Sequence, residues 1–363
     1  MNFYMLWLTK VFDLHISELL KFISVISPKH AYYLTLDNIK KFNLNEELEN
    51  KLLSEKIKDD AKREFEFCQK ENIKILDITS SDYPYNLLNT PTPPVLLYYK
   101  GTLIPKDEVS VSIVGSRKYT EYGRFCTEKF SSELAKAGIT TISGMAYGID
   151  TFAHTYTVKE KGRTIAVLGS GINVIYPVGN KKLYFDIIEN GAVISEFPLN
   201  TPPIPKNFPI RNRIVAGLSM ATLVIEASKK SGTMITARLA AESGRNVYAV
   251  PGQIFSRNSV GTNLLIKDGV KPATCTLDII EDIYPEISKK LPTSTQLSLF
   301  EPKNLSKNES IIYNKLSLTP TSIESLVENV DLPITEITST LTLLEINGYI
   351  KSLPGKQYVI SEK

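Results

Sequence analysis

Four short segments between residues 115 and 213 combine small, hydroxyl-bearing and cationic side chains in a way that suits a phosphate-bearing ligand. They are Gly115-Ser116-Arg117, Ser143-Gly144-Met145-Ala146, Gly169-Ser170-Gly171 and the run 208–213. The first three each follow an apolar β-type run and precede a predicted helix. Glycine lets a backbone approach a phosphate, a helix N-terminus donates N–H groups, and an arginine can bind two phosphate oxygens. The sequence therefore predicts that these segments converge on a phosphate site.

The segment 206–213 adds cations around an aromatic ring. Lys206, Arg211 and Arg213 flank Phe208, and Asn212 lies between the two arginines. This combination is typical of surfaces that bind a single nucleic-acid strand, because the cations contact phosphates and the ring stacks on a base. It favours a polymeric ligand over a single nucleotide.

The two arginines also have a structural alternative. Arg211 and Arg213 could form ion pairs with carboxylates at the strand ends, where Asp150, Glu196 and Glu226 are the candidates. Both interpretations fit the spacing, and we expect one arginine to be structural while the other contacts the ligand.

Two further groups of residues are open to more than one interpretation. Ser231-Gly232-Thr233 opens a helix after an apolar strand, so it either faces an anion or only caps the helix. His154 follows Asp150 by four positions, and such a pair could exchange protons. Since no nucleophile or metal ligand accompanies the pair in sequence, we favour a structural hydrogen bond between Asp150 and His154.

Motifs for nucleotide cofactors and metals are incomplete or missing in the sequence. Gly169-Ser170-Gly171 resembles the start of a dinucleotide fingerprint, but Val174 stands where the third glycine is required. There is no Walker A lysine motif, and Cys68, Cys126 and Cys275 lie far apart without CxxC spacing. We therefore predict no cofactor, no metal and no catalytic residue, in a protein of a reducing compartment.

Length and composition indicate a soluble protein of two or three domains. Of the 363 residues 42% are hydrophobic and 22% charged, and the net charge is only +3, so an anion site must come from local clustering. The sequence lacks the run of about 20 apolar residues that a transmembrane helix needs. Residues 1–12 also lack the basic start of a signal peptide. We expect a cytoplasmic protein without membrane contact.

The elements that would position the four segments alternate between apolar β-type runs and helical stretches. Strands are predicted at 109–114, 139–142, 164–168, 192–195, 222–225 and 246–250. Strands that are apolar throughout and separated by helices form a parallel sheet covered on both faces. We predict a doubly wound, Rossmann-like α/β domain, in which ligands bind at the carboxyl ends of the strands.

The rest of the chain divides around this domain. Residues 1–70 show helical periodicity and predict an all-α domain, while residues 71–284 hold the α/β domain. Residues 285–307 are a polar linker. Residues 308–363 predict three helices and a terminal hairpin, which is a winged-helix pattern.

Several motifs resemble those of the DprA/Smf family of bacterial DNA-processing proteins. The resemblance covers residues 109–280 in consistent order and rests on the runs 114–117, 143–150, 176–177, 208–219, 231–233 and 249–252. It implies a SAM- or helix-hairpin-helix-like N-terminal domain and a winged-helix-like tail. It also implies a non-enzymatic protein that binds single-stranded DNA, protects incoming strands, forms a homodimer through its Rossmann-like domain and loads the RecA recombinase in natural transformation.

The local chemistry and the resemblance together predict one DNA-binding set of residues. The set is Gly115, Ser116, Arg117, Ser143, Gly144, Lys206, Phe208, Arg211, Asn212, Arg213, Ser231 and Thr233. Tyr147 stands where the family often has arginine, so one phosphate contact is lost unless the tyrosine stacks on a base. In the tail, the third helix has Glu336 and Glu345 but no lysine or arginine, which favours a protein-contact or vestigial role over duplex reading.

The alternative is an enzyme of the same nucleotide-binding superfamily. Its phosphoribohydrolases cleave nucleoside monophosphates with a Pro-Gly-Gly-x-Gly-Thr loop and a nearby catalytic glutamate. This chain has Glu226 followed by Ser231-Gly232-Thr233 in the comparable place, without the paired glycines. We therefore expect binding of nucleic acid rather than hydrolysis of a nucleotide.

Overall fold

A computed structural model describes residues 2–13, 15–285, 305–317 and 320–360 of the chain. These residues form two compact units: the first contains the N-terminal helices and a nine-stranded sheet, and the second contains the C-terminal helices and hairpin together with residues 120–125. Within these ranges no helix is long and apolar enough to cross a membrane. The predicted linker, 285–307, lies almost entirely outside the described residues.

The first unit is built from helices that precede and alternate with its strands. In chain order they are α1 (Asn2–Phe12), α2 (Ile16–Val25), α3 (Pro28–Tyr32), α4 (Leu36–Ile39), α5 (Glu46–Leu53), α6 (Glu55–Lys70), α7 (Tyr85–Leu88), α8 (Glu121–Lys136), α9 (Ile149–Lys159), α10 (Lys181–Asn190), α11 (Asn207–Leu218), α12 (Gly232–Glu242), α13 (Val260–Lys267) and α14 (Leu277–Ile283). Local chemistry sets several of these boundaries. The Asn45 side chain, for example, accepts a bond of 2.8 Å from the Leu48 N–H and so caps α5.

The strands of the first unit form one mixed sheet. They are β1 (Lys74–Asp77), β2 (Leu96–Gly101), β3 (Ser110–Val114), β4 (Thr140–Ser143), β5 (Thr164–Val167), β6 (Gly191–Ser195), β7 (Ala221–Val224), β8 (Asn246–Ala249) and β9 (Lys271–Pro272). Their spatial order is β1-β2-β6-β5-β4-β3-β7-β8-β9. All neighbours from β6 to β9 are parallel, which confirms the predicted doubly wound sheet. The sequence also predicts strands at 73–78 and 95–99, and these form an antiparallel extension in which β2 pairs with β6 and β1 with β2.

The direction of winding reverses at β3. From β3 the chain proceeds through β4 and β5 to β6 on one side, and α11 then carries it back to β7 on the other side. At such a reversal the loops that leave the carboxyl ends of the strands diverge and open a crevice. The turns after β3 and β4 and the beginnings of α11 and α12 are therefore brought to one edge of the sheet.

The N-terminal helices pack against the antiparallel edge of the sheet. Trp7 and Leu48 share one buried cluster with Ile75 of β1 and Tyr98 of β2. The Tyr98 hydroxyl also donates to Glu64 Oε1 at 2.6 Å. The predicted helical character of this region is confirmed, and its apolar core continues into the sheet.

The second unit has the winged-helix arrangement that the sequence predicts. Its elements are α15 (Lys307–Tyr313), β10 (Thr321–Ser322), α16 (Ile323–Asn329), α17 (Ile334–Ile346), β11 (Ile350–Leu353) and β12 (Gln357–Ile360). β12 pairs antiparallel with both β10 and β11. Ile337, Leu341 and Leu344 of α17 fill the core of this unit. At the hairpin tip Gly355 has a φ of +86°, which glycine adopts without steric cost.

The continuous core predicts that the N-terminal helices and the sheet of the first unit unfold together in one transition. Trp7→Ala should lower the free energy of unfolding by about 3–5 kcal/mol, since it removes a fully buried ring. Trp7 is also the single tryptophan, so in the unchanged protein its fluorescence and the far-ultraviolet circular dichroism of the sheet should follow the same urea transition. The exposed Val25→Ala is the control and should change stability by less than about 0.5 kcal/mol. A separate, earlier fluorescence transition would show that the helices unfold independently.

Candidate functional site

A cleft of about 480 Å³ opens at the carboxyl edge of the sheet, where the winding reverses. The turns after β3 and β4 and the first turns of α11 and α12 form its walls. Most of the predicted set lines it: Gly115, Ser116, Arg117, Gly144, Phe208, Arg211, Asn212, Ser231 and Thr233. The predicted convergence of strand ends and helix beginnings is thus present in the structure.

The turn after β3 is closely packed and presents Arg117. A Cβ at Gly115 would lie 2.6 Å from Ile149 Cγ1, so a side chain cannot be accommodated there. The Ser116 hydroxyl donates to the Lys118 carbonyl at 2.8 Å and accepts from the Lys118 N–H at 3.1 Å. Ser116 therefore fixes the shape of the turn, and the exposed Arg117 forms no ion pair with any described residue.

The turn after β4 is held by a buried carboxylate. Asp150 accepts hydrogen bonds from the N–H groups of Gly144 (3.2 Å) and Ala146 (3.4 Å). Met145 and Gly148 both have positive φ, and a Cβ at Gly148 would lie 2.4 Å from the Ser116 carbonyl oxygen. The turns after β3 and β4 are consequently locked against each other.

Arg211 is the most deeply placed cation of the cleft, with a side chain that is only 3% exposed. Its Nη1 donates to the carbonyls of Gly144, at 2.7 Å, and Val167, while its Nε donates to Asn212 Oδ1 at 3.2 Å. Burial lowers the pKa of Arg211 to about 10, and the charge of Asp150 opposes that shift. Burial likewise raises the pKa of Asp150, against the effect of Arg211 and the two N–H bonds. Arg211 therefore remains a cation at neutral pH.

Two guanidinium groups lie within 6 Å of the Phe208 ring centroid. Its centroid is 5.2 Å from Arg117 Cζ and 5.9 Å from Arg211 Cζ. The Tyr176 ring is 5.8 Å away at an interplanar angle of 46°. A Cβ at Gly169 would lie 2.8 Å from the Phe208 ring, so this glycine provides space for the ring. Cations beside an aromatic face are the arrangement on which nucleobases stack.

The beginning of α12 offers unsatisfied donors to the cleft. Ser231 occupies the N-cap position, but its hydroxyl makes no capping bond and has no partner among the described residues. Gly232 has open space where a Cβ would be, and Thr233 is 8% exposed. The Ser231 side chain therefore does not cap α12. The anion-facing role of this helix N-terminus stays a prediction.

Three members of the predicted set lie outside the cleft lining. The buried Ser143 hydroxyl donates to the Ile113 carbonyl at 2.7 Å, so it joins β4 to β3 instead of facing a ligand. Arg213 pairs with Glu196 and donates to the Thr92 carbonyl at 2.7 Å. Arg213 therefore follows the structural alternative, in which an arginine forms an ion pair with a carboxylate at a strand end. Lys206 is exposed at the beginning of α11 and forms no ion pair with a described residue.

Other sequence expectations for this edge are corrected by the contacts. His154 Nδ1 bonds to Thr164 Oγ1 at 2.7 Å, so the predicted pair of His154 with Asp150 is wrong. The Ser170 hydroxyl donates to the Val174 carbonyl at 2.8 Å, and the turn after β5 does not line the cleft. Sequence reasoning on chemistry also missed Tyr176, which lines the cleft and whose only signal was the Tyr-Pro pair of the family resemblance.

The fold and the cleft together define a Rossmann-like protein with a cation- and hydroxyl-lined cleft at its switch point and an appended winged helix. The sequence model of DNA recombination-mediator protein A matches residues 74–284, and that of the DprA winged helix domain matches residues 300–356. The chain belongs to the DNA recombination-mediator protein A family, the DprA/Smf proteins.

Named relatives and solved structures are similar over much of the chain. Protein Smf of Escherichia coli is 36% identical over 296 residues, 80% of this chain and 78% of that protein. DNA processing protein DprA of Bacillus subtilis is 38% identical over 217 residues, 59% of this chain and 73% of that protein. The structure of DprA from Streptococcus pneumoniae is 31% identical, with a TM-score of 0.66 over 78% of this chain and 98% of that chain. DNA processing protein A from Helicobacter pylori, solved for its single-stranded DNA binding mode, is 30% identical, with a TM-score of 0.53 over 59% of this chain and 96% of that chain.

The close approach of Gly144 to Arg211 predicts a large effect of a single methyl group. In Gly144→Ala the new Cβ would lie 2.5 Å from Arg211 Nη2, so the buried guanidinium would have to give up its backbone partners. We expect a loss of about 1–3 kcal/mol in urea denaturation. Gly232→Ala is the matched control, because nothing lies within 4 Å of its Cβ position. Equal stabilities of the two variants would contradict the assigned role of Arg211.

Buried His154 predicts a pH dependence of stability. Burial lowers the pKa of His154 from 6.5 to about 3, with the Arg211 charge as a second cause. Below about pH 6.5 the unfolded chain takes up a proton that the folded chain does not, so stability is lost as the pH falls, by about 1.4 kcal/mol per unit. His154→Gln should reduce this slope between pH 6.5 and 4.5 in urea denaturation. The exposed His30→Gln is the control; an unchanged slope in His154→Gln would count against this assignment.

Proposed function

We propose that the cleft binds single-stranded DNA. The observation that carries the proposal is the Phe208 ring in the cleft wall, with the unpaired Arg117 guanidinium 5.2 Å from its centroid. A base can stack on the ring while its phosphate contacts Arg117. The Helicobacter pylori relative, which was solved with regard to single-stranded DNA binding, supports the same ligand for this chain.

The proposal assigns the predicted residues different parts. Arg117 and the exposed Lys206 contact phosphates, and the beginning of α12, with Ser231 and Thr233, contacts another phosphate. Phe208 supplies the stacking surface. Arg211 contributes charge 5.9 Å from the ring centroid, although its hydrogen bonds hold the cleft together. The buried Ser143 and the paired Arg213 position the walls and do not contact DNA.

Tyr147 takes the position of an arginine that is frequent in the family. It is exposed and follows Ala146, which lines the cleft, and its hydroxyl lies next to Gly179. We infer that this ring stacks on a base where the family uses a charge. The strand would then lose one ionic contact and gain one that does not depend on salt.

The cellular role that follows is that of a recombination mediator. The protein would act as a homodimer formed through the Rossmann-like domain, protect incoming single strands in the cytoplasm and load RecA onto them during transformation and homologous recombination. Support comes from membership of the family, whose sequence model spans the whole Rossmann-like region at residues 74–284.

Binding is favoured over nucleotide hydrolysis by the position of Glu226. A phosphoribohydrolase needs this carboxylate beside its substrate, but Glu226 is buried, accepts from Asn258 Nδ2 at 3.3 Å and does not line the cleft. We propose that the protein is not an enzyme. Release of a base from a nucleoside monophosphate by the pure protein would overturn this part of the proposal.

Binding of oligo(dT) across a salt series tests the ligand and its site. Arg117→Ala should weaken binding about tenfold and reduce the slope of log affinity against log salt by about 0.7, because one phosphate contact is lost. Phe208→Leu should cost about 1–3 kcal/mol of binding free energy without changing the slope, whereas Phe208→Tyr should retain binding.

Lys62→Ala is the matched control, since Lys62 is an exposed lysine of α6, distant in sequence from the cleft. It should leave both affinity and slope unchanged. If Arg117→Ala and Phe208→Leu bound as tightly as the unchanged protein, the cleft would not be the site. Preference for duplex over single-stranded DNA would reject the ligand itself.

A further inference from the structure

The loop 253–258 exposes two large apolar side chains. It connects β8 to α13 and so leaves the same carboxyl edge of the sheet as the turns that form the cleft. Phe255 is 93% exposed and Ile254 is 78% exposed. Exposure of a whole phenylalanine ring to water is unfavourable, by about 25 cal/mol per Å² of apolar surface. The folded chain alone gives no reason for its position.

Hydrogen bonds fix the loop in place beside the turn after β3. Asn258 Nδ2 donates to the Lys118 carbonyl at 2.6 Å, and the Asn258 carbonyl accepts from the Ala227 N–H at 2.7 Å. Within the loop the Ser256 N–H donates to the Gln253 carbonyl at 3.0 Å. Lys118 is the neighbour of Arg117, so the loop is anchored one residue from the phosphate contact proposed for the cleft.

Four cations lie close in sequence to Phe255 or to the residues that anchor its loop. Arg257 lies two residues from Phe255, Lys118 belongs to the anchoring turn, and Lys229 with Lys230 follows Ala227 closely. All four are exposed and none forms an ion pair with a described residue. The loop and its neighbours therefore combine an exposed aromatic ring with unpaired cations, as the cleft does with Phe208 and Arg117. Protein interfaces are depleted of lysine, whereas unpaired cations near an exposed ring suit a polyanion with stackable bases.

We propose that Phe255 is a second base-stacking platform, and that the bound single strand continues from the Phe208 cleft across the turn after β3 to the loop 253–258. Arg257 and Lys118 contact the phosphates on this outer part of the path. The inference rests on the proposed function of the cleft and adds a second, spatially separate part to its binding site.

Oligo(dT) of graded length, from about 3 to about 15 nucleotides, separates the two parts of the path. Phe255→Ala should bind the shortest oligonucleotides as tightly as the unchanged protein, because these occupy the cleft alone. It should bind the longer ones about fivefold to about a hundredfold more weakly. Arg257→Ala should reduce the salt slope by about 0.7 for long oligonucleotides only. Phe67→Ala removes a partly exposed phenylalanine of α6 and is the control.

A tryptophan in place of Phe255 gives a direct readout of stacking. The single native tryptophan, Trp7, is fully buried among the N-terminal helices, so new exposed-tryptophan fluorescence in Phe255→Trp reports the loop. Long oligo(dT) should quench this emission by stacking, and oligonucleotides that fill only the cleft should not.

The outcomes distinguish this inference from the function on which it rests. If Phe208→Leu weakens binding at every length but Phe255→Ala does so at none, the cleft stands and the second platform is rejected. If neither substitution weakens binding of oligo(dT) at any length, the proposed function is rejected as well. Loss of self-association in Phe255→Ala, with DNA binding unchanged, would make the ring a contact between copies of the chain and overturn the proposal.

Discussion

The buried guanidinium of Arg211 is the contact on which the geometry of the cleft depends. It donates to the carbonyls of Gly144 and Val167, at the ends of β4 and β5, and so fixes the beginning of α11 against two strands. A buried charge is tolerated only when its donors are satisfied, and these bonds cannot be exchanged for water without opening the cleft. Phe208 lies three residues earlier, on the same face of α11, and is held at the cleft by the same constraint.

The glycines that first suggested a phosphate site make room for protein atoms. Gly115 admits Ile149, Gly144 admits Arg211, and Gly169 admits the Phe208 ring. In each case a Cβ would lie within 2.8 Å of the neighbour. Small residues at strand ends thus bring helices and side chains close to the sheet, and the groups that remain to meet a ligand are Arg117, the Phe208 face and the beginning of α12.

Topology could be predicted from this sequence more completely than side-chain direction. Apolar runs separated by helices specify a parallel sheet, and the convergence of its strand ends follows directly. The strand β2 joins the sheet by pairing with β6, which is distant in sequence, and no local pattern predicts that pairing. Ser143 is the last residue of β4, and whether its hydroxyl faces β3 or a ligand is decided by tertiary contacts. The separate, structural role of Arg213 could be predicted from helix geometry. Two residues along a helix place its side chain about 200° around the axis from that of Arg211.

The third helix of the winged-helix unit, α17, lacks the cationic side chains that contact DNA in a duplex. Contact with a DNA backbone needs positive charge and hydrogen-bond donors. The third helix, α17, has Glu336 and Glu345 and no cation, and Glu345 accepts from the Ser352 N–H at 3.0 Å, which ties it to the hairpin. Its exposed Leu343 and Ile346 are apolar. The exposed face of α17 therefore lacks the positive charge that contact with a DNA backbone needs, whereas Arg117 and Lys206 of the first unit are exposed and form no ion pair with a described residue.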